Sequence, residues 1–289
     1  MRSRVVRSTR KAAAAIARAI FGVVAIGFGI AVYGYLTLPD VRPLATTNPS
    51  TTAFIQIRAD EARSQGRTPR QVQRWITYRR ISPHLKRAVL VAEDAAFWQH
   101  DGIDYDELQK SIEVDWARGQ LVRGASTITQ QLAKNLFLSP SRNPARKLRE
   151  LIITRRLEAE LQKARILELY LNVIEWGDGI YGIEAAAHNY FGQSASALNP
   201  TASALLAGAI VNPRLLNPAH PTARLLRRQQ MILKRMGAVT PPAELVSSKS
   251  SGSSSVGEYS VPPEAASEAL PNVLPTVPPD APPSPVEPK

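Results

Sequence analysis

Apolar positions through the middle of the chain recur at three- and four-residue intervals, a spacing that predicts helices rather than strands. Ile166, Leu167, Tyr170, Leu171 and Ile174 share one helical face, while other helices are announced by their first residues. Ser82-Pro83, Asn143-Pro144 and Asn199-Pro200 each put a capping side chain ahead of a first-turn proline. Asp104 and Glu107 have capping-box spacing before Leu108, Ile112 and Trp116, and a last helix is predicted from about Thr222 to Gly237. No long alternating run argues for a substantial sheet, and no internal repeat is visible.

The pattern changes at both ends. Residues 19–39 are 21 uncharged positions, which as a helix cover roughly 30 Å, the thickness of a bilayer core. Residues 1–18 carry six basic groups and no acidic one. The positive-inside rule then predicts a cytoplasmic N-terminus, one transmembrane helix, and the remainder beyond the membrane, with Tyr33 and Tyr35 at its interface. A cleavable signal peptide is the competing reading, but its apolar run should be shorter and end in small residues, whereas Leu36, Thr37, Leu38 and Pro39 follow here. Residues 240–289 contain 12 prolines and 10 serines. With few large apolar groups to offset ordering entropy, that stretch is expected to be a disordered tail, either a plain extension or a docking arm. Residues 47–239 are left as the globular domain.

The 289 residues include no cysteine, which excludes a disulfide scaffold, thiolate metal sites and a cysteine nucleophile. The formal net charge is +12, and between the apolar segment and the tail 28 basic residues face 18 acidic ones. An anionic partner is expected, either a lipid surface, a phosphorylated substrate or nucleic acid, and a location outside the cytoplasm disfavours the last.

Three polar segments could carry chemistry. Glu93 to Gly102 reads EDAAFWQHDG, so two carboxylates stand beside Phe97 and Trp98 at a helix end. Apolar walls raise a carboxyl pKa toward working pH and suit a general base, although an acidic pair before a glycine turn is ordinary by itself. Gly124 to Asn135 reads GASTITQQLAKN and places Ser126, Gln130 and Lys134 on one face, with Gln131 and Asn135 beside them. That face is either solvated behind a serine cap or a phosphate- or sugar-binding surface at a helix N-terminus, and its density of amides and hydroxyls favours binding. Glu150 lies one turn from Arg146 and Lys147, and Arg142 precedes them. The cluster is either a surface ion pair or a receiver for a leaving phosphate. Glu168 and Asn172 fit packing and turn roles, and the four histidines show no metal-ligand spacing.

In this order the segments resemble the monofunctional biosynthetic transglycosylases of the peptidoglycan glycosyltransferase family. The matches are EDxxFxxHxG at Glu93, GxSTITQQxxKN at Gly124, RKxxE at Arg146 and KxxILExYLN at Lys163, with a looser NPRLLNP at Asn212. The resemblance implies an all-α, lysozyme-like catalytic domain that polymerises lipid II onto a nascent glycan chain. It makes Glu93 the general base and Glu150 the second essential carboxylate. Ser126, Lys134, Arg142 and Lys147 become pyrophosphate contacts, and Gln130, Gln131 and Asn135 substrate-binding neighbours. No cofactor is obligatory, although Mg or Mn could join the carboxylates near a pyrophosphate, and no metal-ligand motif is present. The implied location is the bacterial inner membrane with a periplasmic domain, and the tail could reach other cell-wall synthesis proteins. Leu108, Ile112, Trp116 and Leu121 form either a membrane-dipping jaw or a core-facing helix. The alternatives are a lysozyme-like hydrolase or lytic transglycosylase, which would leave the phosphate contacts without purpose, and a non-catalytic scaffold, which would leave both glutamates idle.

Overall fold

The computed structural model describes residues 18, 20–29, 32–118, 126–141 and 143–237, with only the backbone of 112–118. The chain divides into units 1–244 and 245–289, and the second lies outside the described residues, as does the tail expected to be disordered. Described positions 20–29 and 32–36 of the 19–39 segment are helical. Among the described residues no helix is long and apolar enough to cross a membrane.

The domain is built mainly of helices. They are α1 (Ala53–Ser64), α2 (Pro83–Glu93), α3 (Tyr105–Arg118), α4 (Ile128–Phe137), α5 (Pro144–Glu160), α6 (Lys163–Val173), α7 (Ile183–Phe191), α8 (Pro200–Ala209) and α9 (Ala223–Met236). The expected caps are present: Ser82 Oγ accepts from His84 N–H, Asn143 from Ala145 N–H, Asn199 from Ala202 N–H and Thr222 from Leu225 N–H. Asp104 Oδ1 likewise accepts from Glu107 N–H at 2.8 Å. These bonds satisfy donors that a helix start otherwise leaves open.

Helix α4 packs between α1, α5 and α6, while α2 packs on α8 and α9. The predicted face of α6 is buried throughout, with Ile166, Leu167, Tyr170 and Leu171 at 0% exposure. Each such side chain contributes about 1.5–3 kcal/mol through removal from water. Leu85, Leu90, Phe97, Ile128, Leu132 and Leu157 belong to the same core. Two motifs therefore bury apolar residues while turning polar ones inward.

A small sheet was not anticipated. Strands β1 (Val72–Gln73), β2 (Glu175–Gly177) and β3 (Ile180–Tyr181) pair in the order β1-β3-β2, parallel and then antiparallel. Runs this short cannot show a period of two, so alternation gives no warning of them. Leu108 is 38% exposed, whereas the side chains of Ile112 and Trp116, and all of Leu121, lie outside the described residues.

Candidate active site

Helix α2 stops at Glu93 because Asp94 leaves helical geometry, at φ −165° and ψ 81°. The buried Asp94 carboxylate then joins two elements. Its Oδ2 accepts from Ile128 N–H, at the start of α4, at 2.9 Å, and its Oδ1 lies 2.9 Å from His100 Nε2. The other ring nitrogen of His100 accepts from Gly102 N–H at 3.1 Å. A backbone N–H can only donate, so the imidazole proton sits on Nε2 and is donated to Asp94. Thr127 Oγ1 donates to Gly102 O at 2.7 Å and closes the loop. Gly102 has φ +83°, and a Cβ there would stand 2.6 Å from Thr154 Cγ2, so only glycine fits.

This brace sets Glu93 beside α4. Its side chain is 13% exposed, Gln131 Nε2 donates to its Oε2 at 2.9 Å, and Arg228 Nη2 lies 3.6 Å from its Oε1. Burial pushes the Glu93 carboxyl above its ordinary pKa. The Gln131 hydrogen bond and the charges of Arg228 and Lys134 oppose that rise, while Asp94 adds to it. Gln131 is held from behind, since its Oε1 accepts from the Tyr170 hydroxyl at 3.0 Å.

Each partner of the Glu93–Gln131 hydrogen bond lines a different cleft. The larger, about 460 Å³, is lined by Glu93, Asp94, Asp104, Ser126, Lys110 and Arg235 among others. The smaller, about 270 Å³, includes Gln131, Lys134, Asn135, Tyr170, Arg58 and Glu175. Lys134 is pulled below the ordinary lysine pKa, first by burial and then by Arg146 and Lys147, while Glu150 and Glu93 pull the other way. One half-buried ammonium thus lies within electrostatic reach of both carboxylates. Glu150 is 3% exposed. It accepts from Arg146 Nη1 and Lys147 Nζ, each at 2.5 Å, so the expected cluster forms on one face of α5.

The polar face of α4 differs from its sequence reading. Helix α4 begins at Ile128 with Thr127, not Ser126, as its cap, and Thr127 Oγ1 accepts from Gln130 N–H. Ser126 therefore precedes the helix, is exposed, and lines the larger cleft. Asp94 and Thr127 already accept from N–H groups at that terminus, which weakens it as an anion receptor. Gln130 is buried, its Oε1 has no partner, and it lines neither cleft. Asn135 lines the smaller cleft while its Nδ2 donates to Gln131 O at 2.8 Å. Arg142 lies outside the described residues.

Asp94, Tyr170 and Arg228 were missed as site residues, because each acts across a long separation and only the adjacent Glu-Asp pair carried a local signal. Asn172 is structural: its Oδ1 accepts from Ile76 N–H and its Nδ2 donates to Ile76 O, both at 2.9 Å. Glu168 similarly receives Tyr78 N–H at 2.8 Å and Arg165 Nη1. Asp94, His100 and Asp104 bring ligand-type atoms within 4.8 Å of one another. Both His100 nitrogens and both Asp94 oxygens are already hydrogen-bonded, so this cluster suits a brace better than a divalent cation.

A desolvated carboxylate with a cluster of partly buried cations nearby, on a helical frame lined by clefts, is the layout of a transferase that expels an anionic group. Residues 60–237 match the Transglycosylase family, and the chain belongs to it. A biosynthetic peptidoglycan transglycosylase of Nitrosospira multiformis is 48% identical over 195 residues, covering 68% of this chain and 85% of its own length. Relatives of the same description from Nitrosomonas eutropha and Methylobacillus flagellatus are 49% identical over 201 residues and 48% over 189. They are covered over 81% and 82% of their lengths, by 68% and 65% of this chain.

Proposed function

We propose that this chain is a peptidoglycan glycosyltransferase of the cell envelope that polymerises lipid II into β-1,4 glycan strands. The observation that carries the reading is Lys134, a half-buried cation that lines the smaller cleft within electrostatic reach of both Glu93 and the Glu150 cluster. A hydrolase cutting uncharged glycan would have no use for that concentration of cations. A scaffold would not keep a carboxylate desolvated.

In the proposed step Glu93 takes the proton of the acceptor 4-hydroxyl as its oxygen attacks the anomeric carbon of the growing chain. The bond from that carbon to the pyrophosphate oxygen breaks, the electron pair leaves with the pyrophosphate, and the centre inverts. Lys134, Lys147 and Arg142 stabilise the departing charge, with Ser126 and Asn135 contacting substrate and Glu150 orienting the cations. Gln131 serves the base directly. The acceptor enters the larger cleft, onto which Glu93 opens, and the leaving group lies on the Lys134 side.

Residues 19–39 are proposed as an uncleaved inner-membrane anchor with a periplasmic domain after it. Support comes from the basic flank and from apolar side chains that stand in the open, such as Phe21 at 75% and Phe28 at 70% exposure. The catalytic unit is proposed as 47–239, consistent with α1 beginning at Ala53 and α9 ending at Met236. The tail is then dispensable for turnover and free to meet cell-wall synthesis proteins.

The test is polymerisation of labelled lipid II by purified protein, with and without chelator. Glycan strands should lengthen, whereas shortening of isolated sacculi with no lipid II turnover would favour the hydrolase. Absence of either activity would favour the scaffold.

A further inference from the structure

Gln131 can present either end of its amide to Glu93, and the two ends have opposite effects. The NH₂ end donates to a carboxylate and holds its charged form, while the carbonyl end would repel it. The side chain alone cannot choose. Tyr170, on α6, fastens the amide from the far end. Its ring is fully buried in the core and its hydroxyl stands 3.0 Å from Gln131 Oε1. Burial holds the phenol far above its ordinary pKa, so it keeps its proton and remains a donor. The Glu93 carboxylate can only accept, so it takes the NH₂ end at 2.9 Å, and the phenol, which can donate or accept, donates to the carbonyl left facing it and pins the amide there.

We propose that Tyr170 is a positioning residue for the base, locking the Gln131 amide so that its NH₂ faces Glu93 and keeps the carboxylate aimed and ionised. The inference rests on Glu93 being the base. It assigns Gln131 to the protein's own proton-transfer geometry rather than chiefly to substrate, and it extends the site to the α6 core.

The other groups facing Glu93 make the sign definite. Arg228 from α9 and Lys134 from α4 favour the carboxylate, Asp94 opposes it, and Arg235, Lys110, Asp104, Asp106 and Glu107 line the cleft beyond. None of them contacts the Gln131 amide through a hydrogen bond that Tyr170→Phe would remove. Losing the phenol lets the amide turn, and the donor to Glu93 is then lost for part of the time. Protonation of the base becomes easier, so the acid limb of the pH–rate profile moves to higher pH.

The experiment measures lipid II polymerisation against pH for the wild type, Tyr170→Phe, Gln131→Leu, the double variant and Glu93→Gln. Tyr170→Phe keeps the ring that fills the core, and thermal melting checks the fold. We expect the Tyr170→Phe limb to shift upward, kcat at neutral pH to fall about three- to tenfold, the size of one neutral hydrogen bond, and KM to change little. Gln131→Leu should shift the limb in the same direction, and adding Tyr170→Phe to it should shift it no further. A folded Tyr170→Phe enzyme with an unmoved limb overturns the inference, as does an additive double variant. If Tyr170→Phe fails to fold, an unmoved limb in Gln131→Leu overturns it instead, and a shifted one supports it. Glu93→Gln separates the two readings: retention of the wild-type limb sinks Glu93 as base and this inference with it. Loss of that limb together with an unmoved one in Tyr170→Phe sinks the Tyr170 inference alone.

Discussion

Glu93 and Glu150 are both shielded glutamates on helices, Glu150 buried and Glu93 largely so, yet their surroundings differ in kind. Glu150 receives two charge-assisted hydrogen bonds from Arg146 and Lys147, one turn away on α5. Glu93 receives one neutral amide donor from α4, and the cation that approaches it among the described residues, Arg228, stays at 3.6 Å. A carboxylate bound by two cations is occupied in holding them. One that is desolvated and lightly paired has its pKa lifted toward the range where a base operates. The same side chain is thus given two environments by the company around it.

The largest effect that could break this contrast is in Glu93→Gln. Turnover should fall about 10²- to 10⁴-fold, as expected on loss of a general base. Because the raised folded pKa means that burial disfavours the charged carboxylate, its cost to stability is absent below the unfolded pKa and complete above the folded one. The neutral variant should therefore melt at a higher temperature than wild type at neutral pH. A lower melting temperature would mean that Glu93 is a structural ion partner after all.

Lys134→Ala comes next, with roughly a hundredfold loss in rate at saturating substrate if the ammonium stabilises the departing pyrophosphate. An increase in KM alone would confine the lysine to ground-state binding. Glu150→Gln should cost about ten- to a hundredfold, because two cations lose the group that aims them. Unlike Glu93→Gln it should lower the melting temperature and leave the acid limb of the residual activity in place. A variant that matched Glu93→Gln in both respects would erase the distinction between the two carboxylates.

The smallest catalytic effect is expected at Gly102→Ala, which loads the brace behind Glu93 without touching substrate. The positive φ and the 2.6 Å approach to Thr154 Cγ2 should destabilise the fold by about 1–3 kcal/mol. Thermal melting of the purified variant reads that loss. Activity per folded molecule should change far less, and a collapse of kcat in a well-folded variant would instead make the His100–Gly102 turn part of the reacting site.

Helix starts were legible because a cap and its proline interact with the next few residues and need nothing else. The caps at Ser82, Asn143 and Asn199 appear where their spelling placed them. The motifs also marked Glu93, Lys134 and the Glu150 cluster, and α5 geometry followed directly from one-turn spacing. Local spacing misjudged the start of α4, where Ser126 and Thr127 compete as caps. Asp94 helps settle this from another element, by accepting Ile128 N–H.

Sequence by itself determined the helical class, most of the boundaries and which residues are chemically able to react, because each depends on neighbours within a turn or two. Tertiary structure decided which of those residues come together and which way burial and neighbours bias the ionisation of Glu93 and Lys134. Gln131 lies 38 positions from Glu93 and 39 from Tyr170, and Arg228 arrives from the last helix. A carboxyl pKa is set by whatever surrounds it in space, through lost hydration and the donors and charges that replace it, and those partners exist only once α2, α4, α6 and α9 have packed.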